Sequence, residues 1–177
     1  MTMPRVSILH AQSPEEIAAA RSLMIEYRDS ISTPLCFQNF DAEMAGLPGR
    51  YAPPSGRMFL AMFDDDPVGC IALREIPGDK GRTCEMKRLY VQPSYRGLGL
   101  GRQLCDVLID AAKELRYAAM RLDTDSEMAA AQGLYASLGF APIAKYNDDP
   151  IPDTLFFELM LKIGIALRGD ERAKSAG

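Results

Sequence analysis

Residues 89–102 read Leu-Tyr-Val-Gln-Pro-Ser-Tyr-Arg-Gly-Leu-Gly-Leu-Gly-Arg. A strand-forming run gives way at Pro93 to a loop in which Gly97, Gly99 and Gly101 alternate with leucines between Arg96 and Arg102. Glycine has no Cβ, so backbone N–H groups at these positions can come close to a bulky anion. Helical periodicity resumes directly afterwards. The first turn of a helix offers unpaired N–H donors at the positive end of its dipole. Arg96-Gly97-Leu98-Gly99-Leu100-Gly101-Arg102 therefore reads as a pyrophosphate loop between a strand and a long helix, with arginines supplying charge at both ends. Two other phosphate motifs fit less well. The string Gly-x-x-x-x-Gly-Lys-Ser/Thr does not occur in the chain. A dinucleotide fingerprint counted from Gly97 meets Arg102 where its third glycine belongs, and Gln92-Pro93-Ser94-Tyr95 separates strand from loop.

Working outward, Thr83 to Val91 is the strand that feeds this loop, and Leu104, Leu108, Ala111 and Leu115 form one apolar stripe on a helix starting near Gly97 or Leu98. Met58 to Phe63 and Val68 to Ile76 read as a hairpin around Asp64-Asp65-Asp66-Pro67. Val6 to Ala11 is a first strand. Ser13-Pro14-Glu15-Glu16 starts a helix with a serine cap, proline at N1 and a reciprocal glutamate. A short second helix over Asp41 to Leu47 is expected to be capped by Asp41, and the proline- and glycine-rich run Leu47 to Arg57 to be loop. Downstream come a strand from Ala119 to Leu122, a helix with the stripe Met128, Ala131, Tyr135 and Leu138, and strands Phe140 to Ala144 and Thr154 to Leu161. The expectation is a single mixed α/β (α+β) domain over residues 1–162, its central, mostly antiparallel sheet of about seven strands flanked by helices. Residues 163–177 read as a frayed polar tail.

Composition excludes several classes. A net charge of -4 gives no basic face for nucleic acid. No apolar run approaches membrane-spanning length, and Met1 to His10 is too short and polar for a secretory leader, so no membrane partner and a cytoplasmic location are expected. Cys36, Cys70, Cys84 and Cys105 contain no C-x-x-C pair, so they read as reduced, buried thiols, and no metal site is expected. His10, the only histidine, reads as a strand residue near the surface.

With these elements placed, the chain resembles the GNAT N-acetyltransferase superfamily. Arg96 to Gly101 matches that family's Arg/Gln-x-x-Gly-x-Gly/Ala signature, after a strand ending Leu89-Tyr90-Val91. Ala131-Gln132-Gly133-Leu134-Tyr135-Ala136-Ser137-Leu138-Gly139-Phe140 is similar to its Ala-x-x-x-Tyr-x-x-x-Gly-Phe helix ending. The resemblance implies direct transfer of an acyl group, usually acetyl, from acetyl-CoA to a primary amine, without a metal. By the same analogy the backbone of Leu89, Tyr90 and Val91 would pair with the pantetheine arm, and Gly97 to Arg102 would hold the pyrophosphate. Tyr135 would protonate the departing thiolate, although periodicity alone makes it a core residue.

Only a neutral amine attacks a thioester, so a proton must be removed. Glu85 lies eleven positions before Arg96 and resembles the general-base glutamate of the histone-acetylating branch. Its other reading is a strand glutamate paired with Lys87. Met128 stands where many relatives carry a cofactor-holding asparagine, and its stripe position suggests core. Gly133, inside the same helix, suggests close packing. The acceptor site is expected between Leu35 to Arg57, with Arg50, Tyr51 and Arg57, and Lys145 to Asp153, with Tyr146, Asp148, Asp149 and Asp153. Acidic groups suit an ammonium and arginines a carboxylate, pointing to a small amino-acid-like or polyamine-like amine. A protein or peptide amine, a CoA-binding sensor or scaffold module without turnover, and a homodimer all remain open at this stage.

Overall fold

Ser13 accepts from the Glu16 backbone while the Glu16 carboxylate accepts from Ser13 N–H, a full capping box that fixes the start of helix α1 (Pro14–Ser30) after strand β1 (Val6–His10). The computed structural model describes residues 5–32, 39–79 and 82–162. Cys36, part of the expected acceptor segment and the polar tail 163–177 lie outside the described residues. Helix α2 (Phe40–Ala45) follows, then β2 (Arg57–Phe63), β3 (Asp66–Glu75), β4 (Thr83–Val91), α3 (Leu100–Glu114), β5 (Ala119–Asp125), α4 (Ala129–Ser137), β6 (Ala141–Pro142) and β7 (Thr154–Met160).

The seven strands form one sheet in the order β1-β2-β3-β4-β5-β7-β6. Every pairing is antiparallel except β4 with β5, which run parallel. One face packs on α3 and α4 through Leu104, Leu108, Met86, Met120, Leu122 and Tyr135, among others. The opposite face packs on α1 and α2 through Ile17, Met24, Phe40, Leu60 and Tyr90, among others. Each interior strand thus alternates between two buried layers.

The expected architecture is the observed one, with local differences. Asn39, not Asp41, is the residue before α2; it adopts a left-handed φ of 55° and makes no side-chain cap, while Asp41 sits in the first turn and accepts from Arg28 at 3.1 Å. Helix α3 begins at Leu100, because Gly97 and Gly99 take φ of 80° and 77° and cannot join the right-handed helix. Strand β5 runs on to Asp125, past the expected end at Leu122, because β7 pairs with it along its whole length. Strand β6 is only two residues long and ends at Pro142. The short run Gly49–Tyr51 inside the expected loop is a 3-10 turn. A Cβ on Gly133 would meet nothing within 4 Å, so close packing does not explain that glycine. Among the described residues, no helix is long and apolar enough to cross a membrane.

Candidate active site

Strands β4 and β5 pair only from Thr83↔Ala119 to Glu85↔Arg121 and then part. The cause is visible on β4. Between the pairs Ala72↔Lys87 and Cys70↔Tyr90, two β4 residues, Arg88 and Leu89, stand opposite the single β3 residue Ile71. Arg88 has a φ of 61°, and a bulge of this kind bends and over-twists its strand. The resulting cleft is lined by Lys87, Arg88, Leu122, Asp123, Tyr135 and Asp149, among others. It shares Tyr27, Leu89, Met128 and Ala131 with a wider groove of about 1000 Å³ that runs along Val91 and Arg96 to the glycine loop. The two form one passage between the separated strands.

At the groove's outer end the loop has the shape expected of it. Gly97 and Gly99 both adopt left-handed backbone, and a Cβ on either would point into open space, so both positions demand glycine for conformation while leaving the cradle clear. Leu98 is 52% exposed at the crest, whereas Leu100 is the first residue of α3 and its side chain is core. Arg96 donates from Nε to the Val91 carbonyl at 3.0 Å and lies over the Tyr90 ring, 5.9 Å from its centroid. Arg102 reaches Ser137 of α4 at 3.2 Å and Asp106 at 3.4 Å. Neither arginine is locked in a buried ion pair, so both charges stay at the mouth of the groove. These donors fit a pyrophosphate.

Tyr135 reaches the cleft from α4, and the end of that helix explains its neighbours. Gly139 has a φ of 93°, its N–H donates to Ala136, and the N–H of Phe140 donates to the Tyr135 carbonyl at 3.1 Å. This is a Schellman cap, whose customary apolar contact is supplied by the edge-on packing of Phe140 against the Tyr135 ring at 5.9 Å. The Tyr-x-x-x-Gly-Phe pattern is thus a device for ending the helix and fixing the tyrosine. Tyr135 is only 6% exposed, and its hydroxyl has no hydrogen-bond partner among the described residues. Burial raises its pKa far above the ordinary value, so it stays protonated at neutral pH. Met128, expected in the core, instead caps the start of α4, lines the cleft and accepts from the Thr124 hydroxyl on sulfur.

Glu85 sits beside the cleft, outside the residues that line it. Its Oε2 accepts from Arg74 Nε at 2.8 Å, while Oε1 accepts from the Tyr146 hydroxyl at 2.8 Å and lies 3.5 Å from Lys87 Nζ. Lys87, the partner expected from sequence, is joined by two that the sequence did not suggest. In register, Arg74, Glu85, Arg121 and Glu158 form a row of alternating charge across β3, β4, β5 and β7. Lys87 also pairs with Asp123 at 2.7 Å, and Asn147 donates to the other Asp123 oxygen at 2.9 Å. Burial works against the Asp123 charge, but Lys87 and Asn147 outweigh it and hold the carboxyl below its ordinary value. On the far side Arg88 pairs with Glu43 at 2.9 Å and 3.1 Å, and Tyr51 donates to the same carboxylate at 2.9 Å.

This network fastens the loop of residues 143–153 against the cleft. Tyr146 and Asn147 reach Glu85 and Asp123, and Asp149 accepts from the Ile151 N–H at 2.8 Å and the Thr154 hydroxyl at 3.2 Å. The expected acceptor arginines do not join it: Arg50 donates to the Glu75 carbonyl, and Arg57 to those of Pro54 and Gly56. Asp123, which no motif singled out, is a cleft residue; its only sequence signal was polar spacing at the end of a strand. Burial pushes the Cys70 and Cys105 thiols up to about 12 and Cys84 further, so none of these is a nucleophile at neutral pH.

A sheet parted between two parallel strands, with a glycine cradle at the mouth and a buried tyrosine hydroxyl inside, defines an acyl-CoA-dependent N-acyltransferase. The chain belongs to the acetyltransferase (GNAT) family, whose pattern matches residues 19–140. It is 36% identical over 160 residues to an uncharacterised N-acetyltransferase of Schizosaccharomyces pombe, covering 90% of this chain and 97% of that one. It is 30% identical over 125 residues to N-acetylaspartate synthetase of Danio rerio, covering 66% of this chain and 44% of that one. In fold it is similar to a GNAT-family acetyltransferase from Staphylococcus aureus, with a TM-score of 0.73, 21% identity and coverage of 89% and 100%. A Salmonella typhimurium acetyltransferase structure with its cofactor acetyl-CoA is also similar, with a TM-score of 0.69, 24% identity and coverage of 91% and 96%.

Proposed function

We propose that the enzyme transfers an acetyl group from acetyl-CoA to the primary amine of a small, amino-acid-like or polyamine-like molecule, by direct attack of the amine. The observation that carries this reading is the single passage from the glycine loop, past the unpartnered Tyr135 hydroxyl, into a narrow cleft walled by Lys87, Arg88, Asp123 and Asp149. Bound acetyl-CoA supplies the activated thioester. Gly97 to Arg102 hold the pyrophosphate with backbone donors and two arginines, and the Leu89–Val91 edge of β4 runs beside the pantetheine arm. Tyr135 donates to the sulfur as negative charge gathers there, and burial keeps its proton in place until then. None of the described thiols is reactive and His10 lies on β1 at the sheet edge, which favours direct transfer over a relay through the enzyme.

Glu85 meets two cations and a phenol, so its part in this reading is to hold the loop of residues 143–153 and the Lys87–Asp123 pair in place. The amine then loses its proton to water in the cleft. The narrow, charge-lined acceptor end favours a small acceptor, and the similarity to N-acetylaspartate synthetase supports an amino-acid-like one. The test is thiol release from acetyl-CoA with aspartate, glutamate, lysine, putrescine, spermidine and a short peptide N-terminus. Small amines should be turned over in preference to the peptide. Preference for the peptide would overturn the small-molecule assignment.

A further inference from the structure

Helix α1 buries Ile17, Ala20, Leu23 and Met24, and the next position on that stripe is Tyr27, three residues after Met24 and in the last turns of the helix. As a pattern it is one more core residue. Its surroundings say otherwise. The Tyr27 ring packs on Tyr90 with centroids 5.9 Å apart, and the side chain lines both the cofactor groove and the charged cleft.

The seven tyrosines divide cleanly. Tyr51, Tyr90, Tyr117 and Tyr146 each donate their hydroxyl to a protein oxygen: Glu43, Glu26, the Ser55 carbonyl and Glu85 respectively. Tyr27, Tyr95 and Tyr135 have no such partner among the described residues, and all three line the passage. Tyr27 and Tyr95 are half-buried, so the hydroxyls the protein leaves unpaired are ones a ligand in the passage can reach. Tyr95 lines only the groove, and its ring is packed on Phe63 at 5.1 Å. Tyr27 stands at the junction and Tyr135 lines the cleft next to it; they arrive from opposite faces of the sheet, Tyr27 from the α1 layer and Tyr135 from the α3–α4 layer. The charged groups that act on the Tyr27 hydroxyl are Arg88, Asp123 and Asp125, all residues of the cleft wall.

We infer that Tyr27 is an acceptor-binding residue: its hydroxyl hydrogen-bonds the acceptor's amine nitrogen and holds it beside the thioester, opposite Tyr135. The assignment rests on the transferase reading above and adds a division of labour. Tyr135 handles the sulfur from the cofactor side, and Tyr27 handles the nitrogen from the acceptor side. Burial raises the Tyr27 pKa, so the hydroxyl stays neutral and can accept from the amine N–H without adding charge to an already acidic cleft.

The experiment is a steady-state comparison of wild type, Tyr27→Phe and Tyr135→Phe with the best amine of the panel, alongside the melting-temperature shift given by acetyl-CoA. Tyr27→Phe should raise the amine KM by roughly 3- to 10-fold, the size of one neutral hydrogen bond, with a smaller effect on kcat. Its acetyl-CoA shift should match wild type. Tyr135→Phe should show the reverse, with kcat lowered and the amine KM kept. A Tyr27→Phe enzyme with the wild-type amine KM would overturn the assignment while leaving the transferase reading intact, as would one that loses the acetyl-CoA shift. A wild type that acetylates no amine in the panel would overturn both.

Discussion

Replacing Tyr135 by Phe removes one oxygen and leaves the ring on Phe140 and Phe157, at centroid distances of 5.9 Å and 6.4 Å. Two consequences follow from the same geometry and point in opposite directions. A buried hydroxyl that served the fold would have a protein partner, and deleting it would cost about 1 kcal/mol. The Tyr135 hydroxyl has none among the described residues, so stability should change by less than about 0.5 kcal/mol, and a slight gain is as acceptable as a slight loss. The rate should behave differently. General-acid help is typically worth about 100- to 10,000-fold, and a thiolate is a good leaving group, so kcat should fall by roughly 100-fold. The assay is thiol release at saturating acetyl-CoA, with chemical denaturation as the stability control. Burial keeps the wild-type phenol protonated, so its alkaline pH profile should show no limb from Tyr135 in the range where the fold survives. A Phe variant that keeps the wild-type kcat would make this tyrosine a packing residue and nothing more. One that loses stability and activity in proportion would do the same.

Other perturbations probe the surrounding structure. Glu85→Gln removes the negative charge shared by Arg74 and Lys87, but Lys87 keeps Asp123 at 2.7 Å and Arg74 keeps Glu43 at 3.8 Å, so the cost should be about 2 kcal/mol and Tm should fall by roughly 4–8 °C, read by calorimetry. On the proposed role, in which Glu85 holds the loop of residues 143–153, its variant should raise the amine KM and keep the shape of the pH–rate profile. A loss that is recovered at high pH would instead make Glu85 the base. The Glu43 and Asp123 carboxyls lie below their ordinary values of 4.5 and 3.8; burial opposes this, but Arg88 and Lys87 outweigh it. Depressed carboxylates contribute stability that is present above those values and lost as pH falls through the folded ones. Tm should therefore hold steady from neutrality to about pH 5 and decline below about 4.5. Gly139→Ala should cost about 1 kcal/mol through its φ of 93°, since the added Cβ meets Leu159 only at an ordinary 3.5 Å.

What the sequence showed and what it hid follow from the range of the interactions. Seven strands and the helices between them were legible because alternation, capping and turn residues act within a few positions; Ser13 and Glu16 are an instance. The glycine loop was legible for the same reason, and the Tyr135–Phe140 helix ending through the family resemblance. The bulge at Arg88 was not, because it exists only in the register against β3, and nothing in Lys87-Arg88-Leu89 marks it. The end of β5 was misplaced because Asp123, Thr124 and Asp125 look like loop until β7 is seen to pair with them. The pair of Glu85 with Lys87, one of the two readings of Glu85, was legible locally, but Arg74 comes from the neighbouring strand and Tyr146 from the loop before β7. Tyr27 fell on a core stripe, and periodicity cannot tell a ring that packs from a hydroxyl that faces a ligand.

Whether the glycine loop holds the CoA pyrophosphate is read most directly from the melting temperature of wild type and Gly99→Val with and without acetyl-CoA. At a hundredfold excess over Kd, a native-state ligand adds about 2.7 kcal/mol, which for a domain of this size is a rise of roughly 5–11 °C. Gly99 has a φ of 77°, where a branched Cβ is strained and intrudes on the open cradle. The expected result is a clear rise for wild type and none for a folded Gly99→Val protein. An equal rise in both would contradict the account.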